Sequence, residues 1–265
     1  MQAKLKRNNH FVPICYQKGF ADSSKKVWVK FAGQQKPVHW SPKCVGKEQN
    51  LYIRSVGGVE DDKFEDFFDK QVENDFARLS QRVKREQDQL STVTGKELGA
   101  LGKFVASQTV RTLANRLCME EQLCHALNSN EFLAEMGKQW TAILRSWQTD
   151  LPGFDFYTSL PHVRKYFITG DNPVLLIVEN DNPIWTPTDE PQRAAASPVE
   201  ILDNPKASFR VALSPYMCVY LHAHGGGEAH LPPQTMEPSG VRSFNDLIRK
   251  QCNLFILARD EESLT

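Results

Sequence analysis

The sequence of 265 residues lacks any apolar run of the ~18 residues that would suggest a membrane span, so no transmembrane helix is expected. Residues 1–7 are basic but lead into polar residues, not an apolar core, so they do not read as a secretory signal. There is no C-x-x-C pair: Cys15, Cys44, Cys118, Cys124, Cys218 and Cys252 are scattered, the pattern of thiols in a reducing cytosol. The expected compartment is therefore cytoplasmic. No charge of one sign dominates either. Thirty-two Lys and Arg offset thirty-two Asp and Glu, which excludes a globally basic nucleic-acid footprint and leaves only a local patch. No G-x-S-x-G elbow, H-E-x-x-H pair, kinase signature, internal repeat or low-complexity tract occurs. Gly225-Gly226-Gly227 lacks the spacing of a phosphate loop.

What is present is an ordinary globular composition, with enough chain to bury a core without disulfide or metal staples. A single domain over 1–265 is expected, in three stretches. The first, 1–58, holds irregular chain and short strands: 26–31 alternates polar with apolar, and 51–54 is a weaker strand closed by Gly57-Gly58. Ser41-Pro42-Lys43 marks a turn between them.

The second stretch, 59–150, is helical. Phe64, Phe67, Phe68, Val72, Phe76, Leu79 and Val83 recur every three or four residues and predict one long amphipathic helix over 61–90. Acidic residues gather at its start and basic ones toward its end, as the helix dipole favours. Leu98, Leu101, Val105, Thr109 and Leu113 predict a second helix over 96–127, and 130–148 a third.

The third stretch, 151–265, is β-rich. Strands are expected at 166–169, 174–178, 209–213, 218–222 and 254–257, with a helix over 241–250 and a surface loop over 180–205. The predicted class is α+β: a mixed or antiparallel sheet from the N- and C-terminal segments, packed on a central bundle of about three long helices.

Two short signatures carry polar chemistry. In Asn9-His10-Phe11-Val12-Pro13 the imidazole suits a general base, a metal ligand or a hydrogen-bonded structural residue, and Pro13 keeps Val12 extended. In Gly170-Asp171-Asn172-Pro173 a carboxylate sits on a stiff corner between two apolar runs, where it either closes the turn or serves a metal or proton transfer. Glu65, Asp69 and Glu73 fall on one helical stripe, ordinarily a solvated face and otherwise a set needing cations. Gln108, Arg111 and Asn115 share a face of the second helix. There an arginine pairs with a neighbouring carboxylate or clamps an anion. His222 and His224 point to one side of a strand, with His230 beyond, but no fourth zinc ligand is evident.

An ordered set of residues resembles a bacterial family, domain of unknown function 4238. It comprises Asn9-His10-Phe11-Val12-Pro13 with Phe20-Ala21-Asp22, Ser41-Pro42-Lys43, Tyr52, Glu73, Gln108, Arg111-Thr112, Arg116, Asp171-Asn172-Pro173-Val174, Leu213-Ser214-Pro215 and Asn245. Gly170 stands where the family pattern suggests serine, and Ile14-Cys15-Tyr16 where it suggests Gln-Phe-Tyr. The resemblance brings no established activity. It implies that His10, Glu73, Arg111, Asp171 and Asn172 form one set, which core packing alone explains poorly.

The leading expectation is a metal-dependent hydrolase acting on phosphodiesters of a nucleic acid or nucleotide. Asp171 and Glu73 would hold Mg²⁺ or Mn²⁺, His10 would act as general base or acid, and Arg111 would steady the phosphate. Asn9, Gln108 and Asn172 would line the substrate pocket. The alternative is a non-catalytic binding or sensor module for an anionic or nucleotide-like ligand. A third possibility is a buried hydrogen-bond network that only fixes the fold. The deciding geometry is whether His10 and Asp171 meet.

Overall fold

The computed structural model describes residues 5–86, 90–149, 152–159, 166–178, 182–183, 204, 207–223 and 226–265. The first stretch contributes β1 (Asn8–His10), α1 (Ile14–Gln17), β2 (Val27–Phe31), β3 (Val38–Trp40), β4 (Lys47–Gln49), β5 (Arg54–Val56) and β6 (Val59–Asp61). Residues 51–52 form a turn, and the strand expected at 51–54 begins only at Arg54, in a hairpin whose corner is Gly57-Gly58. The Ser41-Pro42-Lys43 turn is present as a 3-10 turn, Pro42–Cys44, with the Ser41 side chain accepting from the Lys43 N–H.

The long helix expected over 61–90 is two α-helical pieces, α2 (Lys63–Phe68) and α3 (Asn74–Glu86), joined by a π-helical turn over Asp69–Glu73. Such a turn adds one residue and rotates what lies beyond it; Asp69 is exposed while Glu65 and Glu73 are partly buried, and all three carboxyl groups stay within one another's electrostatic reach. The second helix also divides. α4 (Gly95–Val110) opens on a capping box between Thr94 and Glu97 and stops at Arg111. Thr112 is extended, and its side chain caps α5 (Leu113–Gln122) through the Asn115 N–H. α6 (Ser129–Thr149) follows the expected third helix closely.

The β-rich stretch adds β7 (Gly153–Ser159), β8 (Thr169–Gly170), β9 (Val174–Val178), β10 (Asn182–Pro183), β11 (Ala207–Ser214), β12 (Met217–His222), β13 (Ala229–Met236), α7 (Pro238–Gln251) and β14 (Phe255–Ala258). A six-stranded sheet runs β10-β9-β11-β12-β7-β13, antiparallel except for the parallel β7–β13 pair. β13 contains Pro232 and Pro233, which an edge strand tolerates because its outer N–H groups need no partner. A four-stranded antiparallel sheet, β3-β2-β14-β8, joins N- and C-terminal chain. The class is α+β, with strands from both ends of the chain around the helices. The loop expected over 180–205 lies almost wholly outside the described residues, as does His224.

One contiguous hydrophobic cluster draws on all three stretches. At its centre Phe76 of α3 and Phe104 of α4 stack at 3.6 Å and 8°. Tyr16 lies against both rings, donates its hydroxyl to the Ala212 carbonyl (2.7 Å) and accepts from Thr169 Oγ1 (2.8 Å). One side chain therefore joins α1 to both larger sheets. No helix among the described residues is long and apolar enough to cross a membrane. No disulfide forms among the six cysteines.

Gly170, where the family pattern suggests serine, is a tight spot. A Cβ there would overlap Cys252 Sγ and the Phe255 carbonyl oxygen. Gly170→Ala is expected to lower unfolding free energy by about 1–3 kcal/mol, read by urea denaturation. Adding Cys252→Ala should restore only part of this, because the Phe255 carbonyl stays in place.

Candidate functional site

Among the described residues Arg111 is the largest fully buried side chain. A guanidinium without water needs a partner at each edge. The end of α4 supplies the position: Arg111 lies at φ −94°, ψ 0°, where the helix stops. Its Nη1 donates to Glu73 Oε1 at 2.8 Å, its Nε to the Tyr52 hydroxyl at 3.1 Å and its Nη2 to the His10 carbonyl at 2.5 Å. The Tyr52 hydroxyl donates in turn to the Arg111 carbonyl at 2.9 Å, satisfying an acceptor that the helix end leaves open. The Phe68 ring lies 4.4 Å from the guanidinium carbon. Asn9 accepts from the Tyr52 N–H at 3.1 Å and donates to the Lys6 carbonyl at 2.9 Å. The π-helical turn ending at Glu73 sets the carboxylate that Arg111 meets.

The charges around this centre are unequal. Against burial, which opposes its charge, Tyr52, Glu73 and Glu65 hold Arg111 in the cationic form. Burial pushes the Glu65 carboxyl up to about 7; Arg111 opposes the shift and the Glu73 carboxylate adds to it. Glu65 Oε2 is buried with no hydrogen-bond partner. Burial lowers His10, and Lys47 and Arg111 act in the same direction. Its Nε2 lies 3.3 Å from the Lys43 carbonyl. Since a carbonyl only accepts, Nε2 carries the proton and Nδ1 is left as the basic nitrogen. Cys15 is pushed up to about 12 by burial and by Glu73, so it stays a thiol. On the His10 side, Lys43 and Lys47 are exposed, and neither has an ion pair among the described residues.

Asp171 lies in a different environment. Its Oδ1 accepts from the Phe255 N–H (3.2 Å) and its Oδ2 from the Asn253 N–H (3.3 Å). Burial raises its carboxyl while these N–H groups oppose the rise. It lines a cleft of about 330 Å³ with Glu48, Arg116, Glu120 and Asn253, in which Arg116 is tied to Glu120 at 3.0 Å. Among the described residues no hydrogen bond or ion pair joins Asp171 to His10, Glu73 or Arg111. The expected sharing of one metal ion by Asp171 and Glu73 has no support in this geometry, because the two carboxylates answer to different partners. Nor is any group of three or more His, Cys, Asp and Glu among the described residues arranged to hold a metal.

The other expected site residues are also accounted for. Asn172 gives its carbonyl to Gln251, and its Nδ2 is buried without a partner. Gln108 is fully buried, with neither side-chain polar atom bonded. The break before α5 turns Asn115 from the expected shared face toward the Val110 carbonyl and Gln139. His222 and His230 both bond Asp155. The sequence pattern does not mark Glu65 or Phe68 as site residues: the first falls on an acidic stripe whose ordinary reading is a solvated face, the second on an apolar stripe.

The fold and site define an α+β protein whose polar centre is organised around a buried arginine. The chain belongs to the family described as protein of unknown function (DUF4238), whose model matches residues 8–152. That span includes Asn9, His10, Tyr52, Glu65, Glu73, Gln108 and Arg111, and ends before Asp171. Neither a curated protein nor a solved structure matches the chain.

Arg111→Met should cost roughly 3–5 kcal/mol of stability in urea, because Glu73 and the His10 carbonyl lose their shared donor. Glu73→Leu added to it should recover part of that loss. Glu65 gives a pH signature. Its folded value lies above that of an unfolded glutamate, so its contribution is complete below about pH 4.5 and is lost as pH rises through about 7. Glu65→Gln keeps the shape of the neutral acid. Thermal melts should show it more stable than wild type above pH 7, by up to about 3 kcal/mol, and nearly equal at pH 4.

Proposed function

We propose that the protein is a hydrolase whose acid–base centre is Glu65, Glu73 and His10, held in register by Arg111. The observation carrying this reading is Glu65: a carboxyl poised near neutrality, with one buried oxygen unpartnered, beside the arginine-paired carboxylate of Glu73. A carboxyl that keeps its proton toward neutrality suits a proton donor. Glu65 gives its proton to the departing oxygen. Nδ1 of His10, neutral because burial lowers its affinity for a proton, takes one from the attacking water.

The substrate class that fits is the phosphodiester of a nucleic acid or nucleotide. Lys43 and Lys47, exposed and without ion pairs among the described residues, offer positive charge beside His10. Arg111 is a positioning residue in this scheme. Its edges are taken by protein groups, so the phosphate contact expected of it passes to the lysines. A divalent ion such as Mg²⁺ or Mn²⁺ would be held by Glu73, because Glu65 must keep its proton to act as the acid.

The test is cleavage of bis(p-nitrophenyl) phosphate and of short DNA and RNA, with Mg²⁺, with Mn²⁺ and with chelator. Glu65→Gln and Glu73→Gln should each lower kcat about 100-fold or more, and Asp171→Asn should change it little. The wild-type rate should fall above about pH 7 as Glu65 loses its proton. No cleavage by the wild type, or undiminished cleavage by Glu65→Gln, would overturn the proposal.

A further inference from the structure

A second cleft, of about 550 Å³, lies between the six-stranded sheet and α7. It is well removed in sequence from the acid–base centre, and none of its lining residues falls within the span matched by the family model. Its sheet side presents Arg210 of β11 and Tyr220 of β12, which face one another across the ladder. The Arg210 guanidinium carbon sits 4.4 Å from the centre of the Tyr220 ring, and Tyr157 of β7 continues the row at 4.6 Å. A guanidinium over a phenol ring makes a flat surface that is both aromatic and cationic.

The helix side is different in kind. Ser239 and Ser243 bring hydroxyl groups, Asp246 a carboxylate and Lys250 an ammonium. Asp246 is bonded to Arg249 at 3.1 Å, whereas Lys250 is exposed and has no ion pair among the described residues. With Arg242 and Arg249 alongside, α7 carries more positive than negative charge toward its surroundings.

From this juxtaposition we infer that the cleft is a binding site for a nucleoside monophosphate. The flat face of a base lies against the Arg210–Tyr220 pair, the phosphate meets Lys250, and the sugar hydroxyls meet Ser239, Ser243 and Asp246. Each part of such a ligand finds its complement: a π face, a dianion and hydroxyl groups. The volume is that of a small-molecule site, in the range of ~300–1,000 Å³, and not of a channel for a strand. An apolar ligand would cover the exposed Lys250 ammonium without pairing it. The inference is independent of the hydrolase reading and stands if that reading fails.

Calorimetric titration of the full chain with AMP, GMP, CMP and UMP, and separately with adenosine and with inorganic phosphate, tests it. At least one of the four monophosphates should bind saturably at one site, about tenfold or more tighter than either adenosine or phosphate. Lys250→Glu, an exposed change that leaves the fold intact, should weaken that binding at least tenfold, and Arg210→Gln should do the same with an unchanged melting curve. Glu65→Gln should bind the nucleotide as the wild type does, which separates this site from the acid–base centre. Absence of saturable binding by all four, inorganic phosphate binding as tightly as the best nucleotide, or an unchanged affinity in Lys250→Glu would each overturn the inference.

Discussion

The burial of one guanidinium constrains most of this protein's polar architecture. Arg111 has no water to turn to, and its partners come from separate parts of the chain: the His10 carbonyl of β1, the Tyr52 hydroxyl, and Glu73 at the end of the π-helical turn. Satisfying this single side chain fixes the N-terminal segment against the helical middle. It also divides the nearby carboxylates. Glu73 receives the arginine and keeps its charge partner, while Glu65, buried in the same field without a hydrogen bond to Oε2, holds its proton toward neutrality. The chemistry proposed for the site follows from that inequality.

The same economy of side-chain bonds holds the irregular segments elsewhere. The first fifty residues have little ladder of their own, yet Gln17 donates from Nε2 to both the Val12 and Val45 carbonyls, and Asn9 bridges Lys6 and Tyr52. Asp171 does the corresponding work at the far sheet, accepting from the backbone of the turn that leads into β14. Tyr16 connects the two regions through Thr169 and Ala212. Buried polar groups of this kind are satisfied by backbone, and each one pins a loop where no regular hydrogen-bond pattern would.

Parts of this were legible in the sequence and parts were not, for identifiable reasons. The amphipathic spacing located the helical middle, but it did not reveal that Thr112 restarts a helix, since Leu113 continues the apolar pattern across the break. β7 and β13 carry no clear strand signature in the sequence, the second because two prolines argue against a strand anywhere but an edge. The resemblance puts His10, Glu73 and Arg111 in one set, and in the structure the guanidinium bonds the Glu73 carboxylate and the backbone carbonyl of His10. Asp171 belonged to the same resemblance but bonds elsewhere, because its partners are backbone N–H groups of a turn some eighty residues away that side-chain patterns do not advertise.

The sequence by itself determined what periodicity and composition can determine: an α+β protein with amphipathic helices, β-rich chain toward the end and no run long enough to span a membrane. Those properties are local, set within windows of ten to twenty residues. Only the tertiary structure decided which acidic residue meets Arg111, which one retains a proton near neutral pH, and which bonds backbone N–H groups instead. A carboxyl's affinity for its proton depends on the water removed from it and on charges brought close by folding. Neither is a property of its neighbours in the chain.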